Sequence, residues 1–154
     1  MKGNQKLIGV LNDLLTDELT AISQYMVQSE MCDHWGYHKL HESIEKHAKE
    51  EMHHAEWLIQ RVLFLEGHPV VTKVNPIKIG KTPQDFVTND HESEETAIRA
   101  YNKAIALAGE GSDQATADLL TQILKMEEGH IAWAETQAAQ IKQIGLENYL
   151  ANQV

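Results

Sequence analysis

Residues 48–57 read AKEEMHHAEW and residues 124–133 read LKMEEGHIAW. Each stretch holds a Glu-x-x-His pair, Glu51 with His54 and Glu127 with His130. Residues three apart lie on one face of a helix, so each pair aims a carboxylate and an imidazole at the same point. Alone, either pair says little, because Glu and His are common in helices and nine histidines are spread along the chain. The spacing between the pairs says more. An offset of 76 residues carries Glu51 and His54 onto Glu127 and His130, and it also carries Glu18 onto Glu94, Tyr25 onto Tyr101, Trp57 onto Trp133 and Ala21-Ile22 onto Ala97-Ile98. Two helix–helix halves are therefore related by internal duplication or by a strongly shared constraint.

Apolar residues around these positions recur at helical spacing. Leu7, Leu11, Leu14, Leu15, Leu19, Ile22 and Met26 predict a first helix over about 5–34. Gly36 breaks it, and Leu40, Ile44, Ala48, Ala55, Leu58, Val62 and Leu65 predict a second over about 38–65, stopped by Gly67 and Pro69. The short link makes these two antiparallel neighbours. Residues 67–82 contain Pro69, Pro76, Gly80 and the β-branched Val70, Val71, Val74, Ile77 and Ile79, which reads as extended chain. Extended, such a segment reaches about 53–58 Å, whereas a helix of about 28 residues is about 42 Å long. It can thus cross the whole length of a bundle. Thr82-Pro83 supplies a cap and a first-turn proline for a third helix over about 83–108, and Ser112 or Asp113 caps a fourth over about 113–144. The tail forms a short fifth helix, about 146–152, too short to stand unless it docks on the subunit or on a partner. The expectation is one all-α domain, residues 1–154: a four-helix bundle with one long crossover.

Composition narrows the function. Thirteen Lys and Arg against 23 Asp and Glu give a formal charge of -10, which disfavours nucleic acid and favours cations. The single Cys32 excludes a disulfide framework or a thiolate metal site within one chain. No apolar run has the length of a membrane span and no signal-like segment opens the chain, so a soluble, cytoplasmic protein is expected, with no membrane and no nucleic-acid partner.

Carboxylates on or beside an apolar stripe are costly to bury unless neutralised. Four of them facing one another, Glu18, Glu51, Glu94 and Glu127, call for two divalent cations. One Glu from each of two helices plus Glu-x-x-His from each of the other two is the ligand pattern of ferritin-like di-metal carboxylate proteins. Oxygen and nitrogen donors without thiolate suit iron or manganese. On this reading Glu51 and Glu127 bridge two ions, Glu18 and Glu94 each complete one side, and His54 and His130 bind one ion apiece. Tyr25 and Tyr101, two turns beyond Glu18 and Glu94 on the same face, are hydrogen-bond donors to the ligands. The competing reading is a bundle whose polar core is satisfied by hydrogen bonds alone.

With these residues in view the chain resembles a bacterioferritin over nearly its whole length. The resemblance rests on MKGN at the start, DELTAISQY around Glu18, EEMHHAE around Glu51, LFLEGHP after the second helix, EEGHIAWAETQ around Glu127 and GLENYL near the end. It implies a ferroxidase that oxidises Fe(II) with dioxygen or hydrogen peroxide at a centre of two iron ions per subunit. It further implies ferric mineral stored in a closed homo-oligomeric shell, a 24-mer in preference to a 12-mer. A haem, b-type or a related iron porphyrin, is implied between paired subunits, with Met52 as axial ligand, and a small ferredoxin is a candidate electron donor. Met52 lies about 100° around the helix from Glu51 and so points off the metal-facing stripe, and its counterpart in the other half is Glu128. Glu45 and Lys49 carry charge where the family places apolar or aromatic groups near the haem, and Lys46 stands where an inner-surface iron site has a ligand, with His47 and Glu50 close by.

Two other classes compete: a di-metal oxidase or peroxide scavenger that stores no iron, and a DNA-coating stress protein, which the acidic charge and lack of a basic arm disfavour. Elsewhere, most of His34, His38, His41, His47 and His53 read as solvated, and Glu42, Glu45, Glu50 and Glu56 as an exposed face or a lining of the shell. Trp35, Trp57 and Trp133 read as packing anchors, and Cys32 as a packed thiol.

Overall fold

In the computed structural model, which describes residues 2–154, the Asn4 side chain accepts hydrogen bonds from the backbone N–H groups of Lys6 and Leu7 and starts α1 (Gln5–His34). A turn through Gly36, whose φ of 82° suits glycine, leads to α2 (His38–Phe64). Thr82 and Asp85 form a reciprocal capping box at the start of α3 (Pro83–Glu110). Asp113, not Ser112, caps α4 (Gln114–Ile144) by accepting from the Thr116 N–H. α5 (Leu146–Ala151) closes the chain, and the described residues contain no strand. The third helix runs two residues beyond the predicted Ala108. A glycine inside a helix costs only about 1 kcal/mol, so Gly109 is carried through and the chain turns at Gly111–Ser112, where Ser112 takes φ 56°.

The crossover after α2 lies along α1 and is fastened to it by α1 side chains. Asn12 binds the backbone at His68 and Val70, Thr20 accepts from the Asn75 N–H, Gln24 accepts from the Lys78 N–H, and Gln28 donates to the Ile79 carbonyl. These anchors advance together, so the crossover runs parallel to α1 and delivers α3 antiparallel to it. α1 packs on α2 and α3, and α4 packs on α3 and α2.

Buried apolar side chains form two clusters. One gathers Leu7–Leu15 side chains of α1 with Leu58 and Val62 of α2, Ala104 and Ala108 of α3, and Leu120 and Ile123 of α4. The other gathers Cys32, Leu40, Ile44, Ala48, Phe86 and Tyr149. Glu18, Glu51, His54, Glu94, Glu127 and His130 fall between the clusters along their helices and are all buried. The short fifth helix docks within the subunit: Tyr149 is buried and its hydroxyl donates to Gln137, while Lys39 donates through N–H and Nζ to the carbonyls of Gln153 and Asn152. No described helix is long and apolar enough to cross a membrane.

Candidate metal centre

Each of the four long helices sends side chains into the polar layer. His54 Nδ1 lies 2.7 Å from Glu51 Oε2, 3.2 Å from Glu127 Oε1 and 3.5 Å from Glu18 Oε2. His130 Nδ1 lies 2.9 Å from Glu51 Oε1, 3.2 Å from Glu127 Oε2 and 3.6 Å from Glu94 Oε1. Glu51 and Glu127 thus turn one oxygen to each imidazole, whereas Glu18 belongs to the His54 side and Glu94 to the His130 side. Two groups of ligand-type atoms result, Glu18/Glu51/His54/Glu127 and Glu51/Glu94/Glu127/His130, each within 4.8 Å of one another.

The phenols reach the carboxylates by an unexpected route. Tyr25 donates to Glu94 and Tyr101 donates to Glu18, so each phenol crosses between α1 and α3 and leaves the carboxylate of its own helix to the other.

Burial and crowding set the charge state. Burial first, then the Glu51 charge, push the Glu18 carboxyl well above the usual carboxylate range, and burial lifts Glu94 to about 8. For Glu51, burial is outweighed by the His130 imidazole beside it and by the hydrogen bond from His54, which together hold it well below that range. Burial also opposes charge on His54, yet Glu127, Glu18 and Glu51 push it up to about 12, and Glu127, Glu51 and Glu94 raise His130 in the same way. The layer therefore strongly favours positive charge at the two imidazole positions.

A metal pair fits these residues on an independent observation. Glu127 Oε2 and His130 Nδ1 are buried with no hydrogen-bond partner, which is rare for buried polar atoms. They stand 3.2 Å apart, a natural separation for two atoms that share an ion at about 2.0–2.2 Å. A cleft of ≈ 230 Å³ opens beside them, lined by Glu18, Glu51, Glu94 and Glu127 and, on the crossover side, by Asn75, Pro76 and Lys78.

Several neighbours escaped the within-helix reading. His47, expected among solvated histidines, is buried, with its ring 4.4 Å from that of His130, 4.9 Å from Trp133 and 5.9 Å from Tyr25. Burial lowers its pKa to about 4. Glu50, grouped with the exposed acids, reaches His130 Nε2 at 2.9 Å, and His47, Glu50 and His130 form a third group of ligand type. Asp90, buried four residues before Glu94, accepts from Gln24 at 2.9 Å. Met52 is half exposed, and Glu45 and Lys49, earlier on the same face of α2, pair at 2.7 Å.

A bundle of four long helices with four inward glutamates and two inward histidines defines a di-metal carboxylate class of protein. A sequence model of the ferritin-like domain matches residues 8–144. The chain is 38% identical to a "Bacterial ferritin" of Synechocystis sp., over 100% of this chain and 99% of the relative. It is 38% identical to a "Bacterial ferritin" of Pseudomonas aeruginosa, over 100% of both chains. It is 36% identical to a "Bacterioferritin" of Rhodobacter capsulatus, over 97% of this chain and 92% of the relative. The chain belongs to the ferritin-like family and, within it, stands with the proteins named bacterioferritin and bacterial ferritin.

Proposed function

We propose that the protein is an iron-storage ferroxidase whose substrate is a pair of Fe(II) ions held between α1, α2, α3 and α4. The observation that carries this reading is the shared geometry of Glu51 and Glu127, each offering one oxygen to the His54 side and one to the His130 side. Glu18 and Glu94 complete the two sides, held by Tyr101 and Tyr25. Four ionised carboxylates offset the charge of two dications, and hard oxygen donors favour the ferric state that oxidation produces.

In the reaction each Fe(II) gives up one electron. The two electrons and two protons reduce dioxygen to hydrogen peroxide, or reduce hydrogen peroxide to two waters. The protein's part is to hold both ions at one place, so that an oxidant meets two one-electron donors together. The ferric product then moves into the cavity of a closed homo-oligomeric shell and is stored as mineral. The full-length match to relatives named for ferritin supports this over an oxidase that stores nothing.

Met52 is the ligand this reading assigns to a haem between paired subunits. Its thioether is half exposed on α2 and free of the metal layer, as a ligand shared across a twofold axis requires.

The test is stopped-flow oxidation of Fe(II) by the assembled protein, with native mass measurement. Rapid oxidation of about two Fe(II) per subunit, lost in Glu127→Ala, by a closed shell of many copies, is expected. Unchanged rates in Glu127→Ala, or a small oligomer that retains no iron, would contradict it.

A further inference from the structure

The duplication relates His54 to His130, yet what stands behind each ring differs. His130 Nε2, turned away from the four carboxylates, lies 2.9 Å from Glu50 Oε2. His54 Nε2 lies 3.4 Å from the Met126 sulfur. Glu50 and Met126 occupy equivalent positions under the 76-residue offset. The repeat is therefore broken at the one ring atom that each imidazole offers to its surroundings. The same happens one turn earlier, where His47, packed on the His130 ring, corresponds to Ile123, fully buried in an apolar cluster.

We infer that Glu50 and Met126 make the two metal positions unequal, and that the position completed by His130 and Glu94 binds a divalent cation more tightly than the one completed by His54 and Glu18. This inference rests on the di-metal reading above. An imidazole that binds a metal through Nδ1 carries its hydrogen on Nε2. When that hydrogen is donated to a carboxylate, the bond is charge-assisted, fixes the tautomer and ring direction, and makes Nδ1 a stronger donor. A thioether accepts only weakly and directs the ring poorly. Lys46 sits 3.3 Å from the other Glu50 oxygen, Oε1, which holds Oε2 toward His130. Glu50 is thus a positioning residue: it acts on the metal through His130.

The test is a Co(II) titration of the metal-stripped assembled protein, followed by calorimetry and by Co(II) absorbance, with anomalous diffraction from crystals at one Co(II) per subunit. Wild type is expected to fill in two steps that differ by about 10–100-fold in affinity, with the first ion beside His130 and Glu94. Glu50→Gln and Glu50→Met should each weaken the first step by a similar factor and leave the second unchanged. Met126→Glu should strengthen the second. If Met126→Glu fails to assemble, the two Glu50 variants decide the matter by themselves. Two Co(II) bound with equal affinity in wild type, steps unmoved by Glu50→Met, or first occupancy beside His54 would overturn the inference and leave the di-metal reading standing. An additional ion seated on Glu50 with the pair unaffected would also overturn it, since Glu50 would then be a ligand. Fewer than two Co(II) at the centre would overturn the di-metal reading, and the inference with it.

Discussion

Tyr25 on α1 donates its phenolic hydrogen to Glu94 on α3, and not to Glu18, the carboxylate two turns before it on its own helix. The duplicated partner, Tyr101, returns the contact to Glu18. The antiparallel packing of α1 on α3 explains the exchange, because it sets residue 25 beside residue 94 and residue 101 beside residue 18. Each half of the repeat thus orients the terminal glutamate of the other.

Tyr25→Phe should therefore weaken metal binding on the His130 side, and Tyr101→Phe on the His54 side, each by about 10-fold. Each variant leaves a buried carboxyl without its donor, at about 1–3 kcal/mol. Metal titration with a stability measurement checks both, and an effect of Tyr25→Phe confined to the His54 side would contradict the crossed arrangement.

Asp90 gives a pH prediction. Burial raises its pKa from 3.8 to about 7, against the hydrogen bond from Gln24, and its Oδ2 has no hydrogen-bond partner. A carboxyl whose folded-state pKa is raised favours the fold below the unfolded value, and that contribution is lost as pH rises through the folded value. Asp90→Asn keeps the shape without the charge. Relative to wild type it should gain up to about 4 kcal/mol as pH rises from about 4 to above 7. Thermal unfolding of both proteins across that range should show diverging profiles; parallel profiles would mean that Asp90 is ionised in the fold.

Arg61 ties the end of α2 to the start of α4, donating to Asp113 and Thr116 at 2.6 Å each while its guanidinium lies 4.8 Å above the Phe64 ring. Arg61→Met should cost about 1.5–3 kcal/mol, because the donor is charged and largely buried. Arg99→Ala, which breaks an exposed 3.6 Å pair with Glu95, should cost under about 1 kcal/mol. Calorimetric unfolding distinguishes the two, and equal losses would contradict the ranking.

On the proposed reading of a haem held between subunits by Met52, the purified wild-type protein should carry a haem absorption band that Met52→Leu abolishes, since leucine offers no ligand atom. An undiminished band in that variant would place the haem elsewhere.

Much of this architecture was legible in the sequence because helical spacing reports which face a residue occupies. Leu7 to Leu15 marked the core stripe of α1, Thr82-Pro83 marked the start of α3, and the 76-residue offset picked out six side chains that converge in space. Spacing within a helix carries no information about what faces it on a neighbour. The Tyr25–Glu94 contact, the Glu50–His130 contact and the burial of His47 all depend on the relative register of two helices, which packing at the core sets. For that reason Glu50 reads, from sequence, only as one more acid of an exposed face or of a shell lining. The crossover likewise read only as long enough to span the bundle, and the polar side chains of α1 decide its path.

The central claim is that Glu18, Glu51, His54, Glu94, Glu127 and His130 hold two iron ions. Anomalous diffraction at the iron edge, from crystals loaded anaerobically with Fe(II), tests it most directly. Two peaks per subunit are predicted, one beside His54 and Glu18 and one beside His130 and Glu94, with Glu51 and Glu127 spanning both. A single peak, or iron confined to the surface with this layer bare, would contradict it.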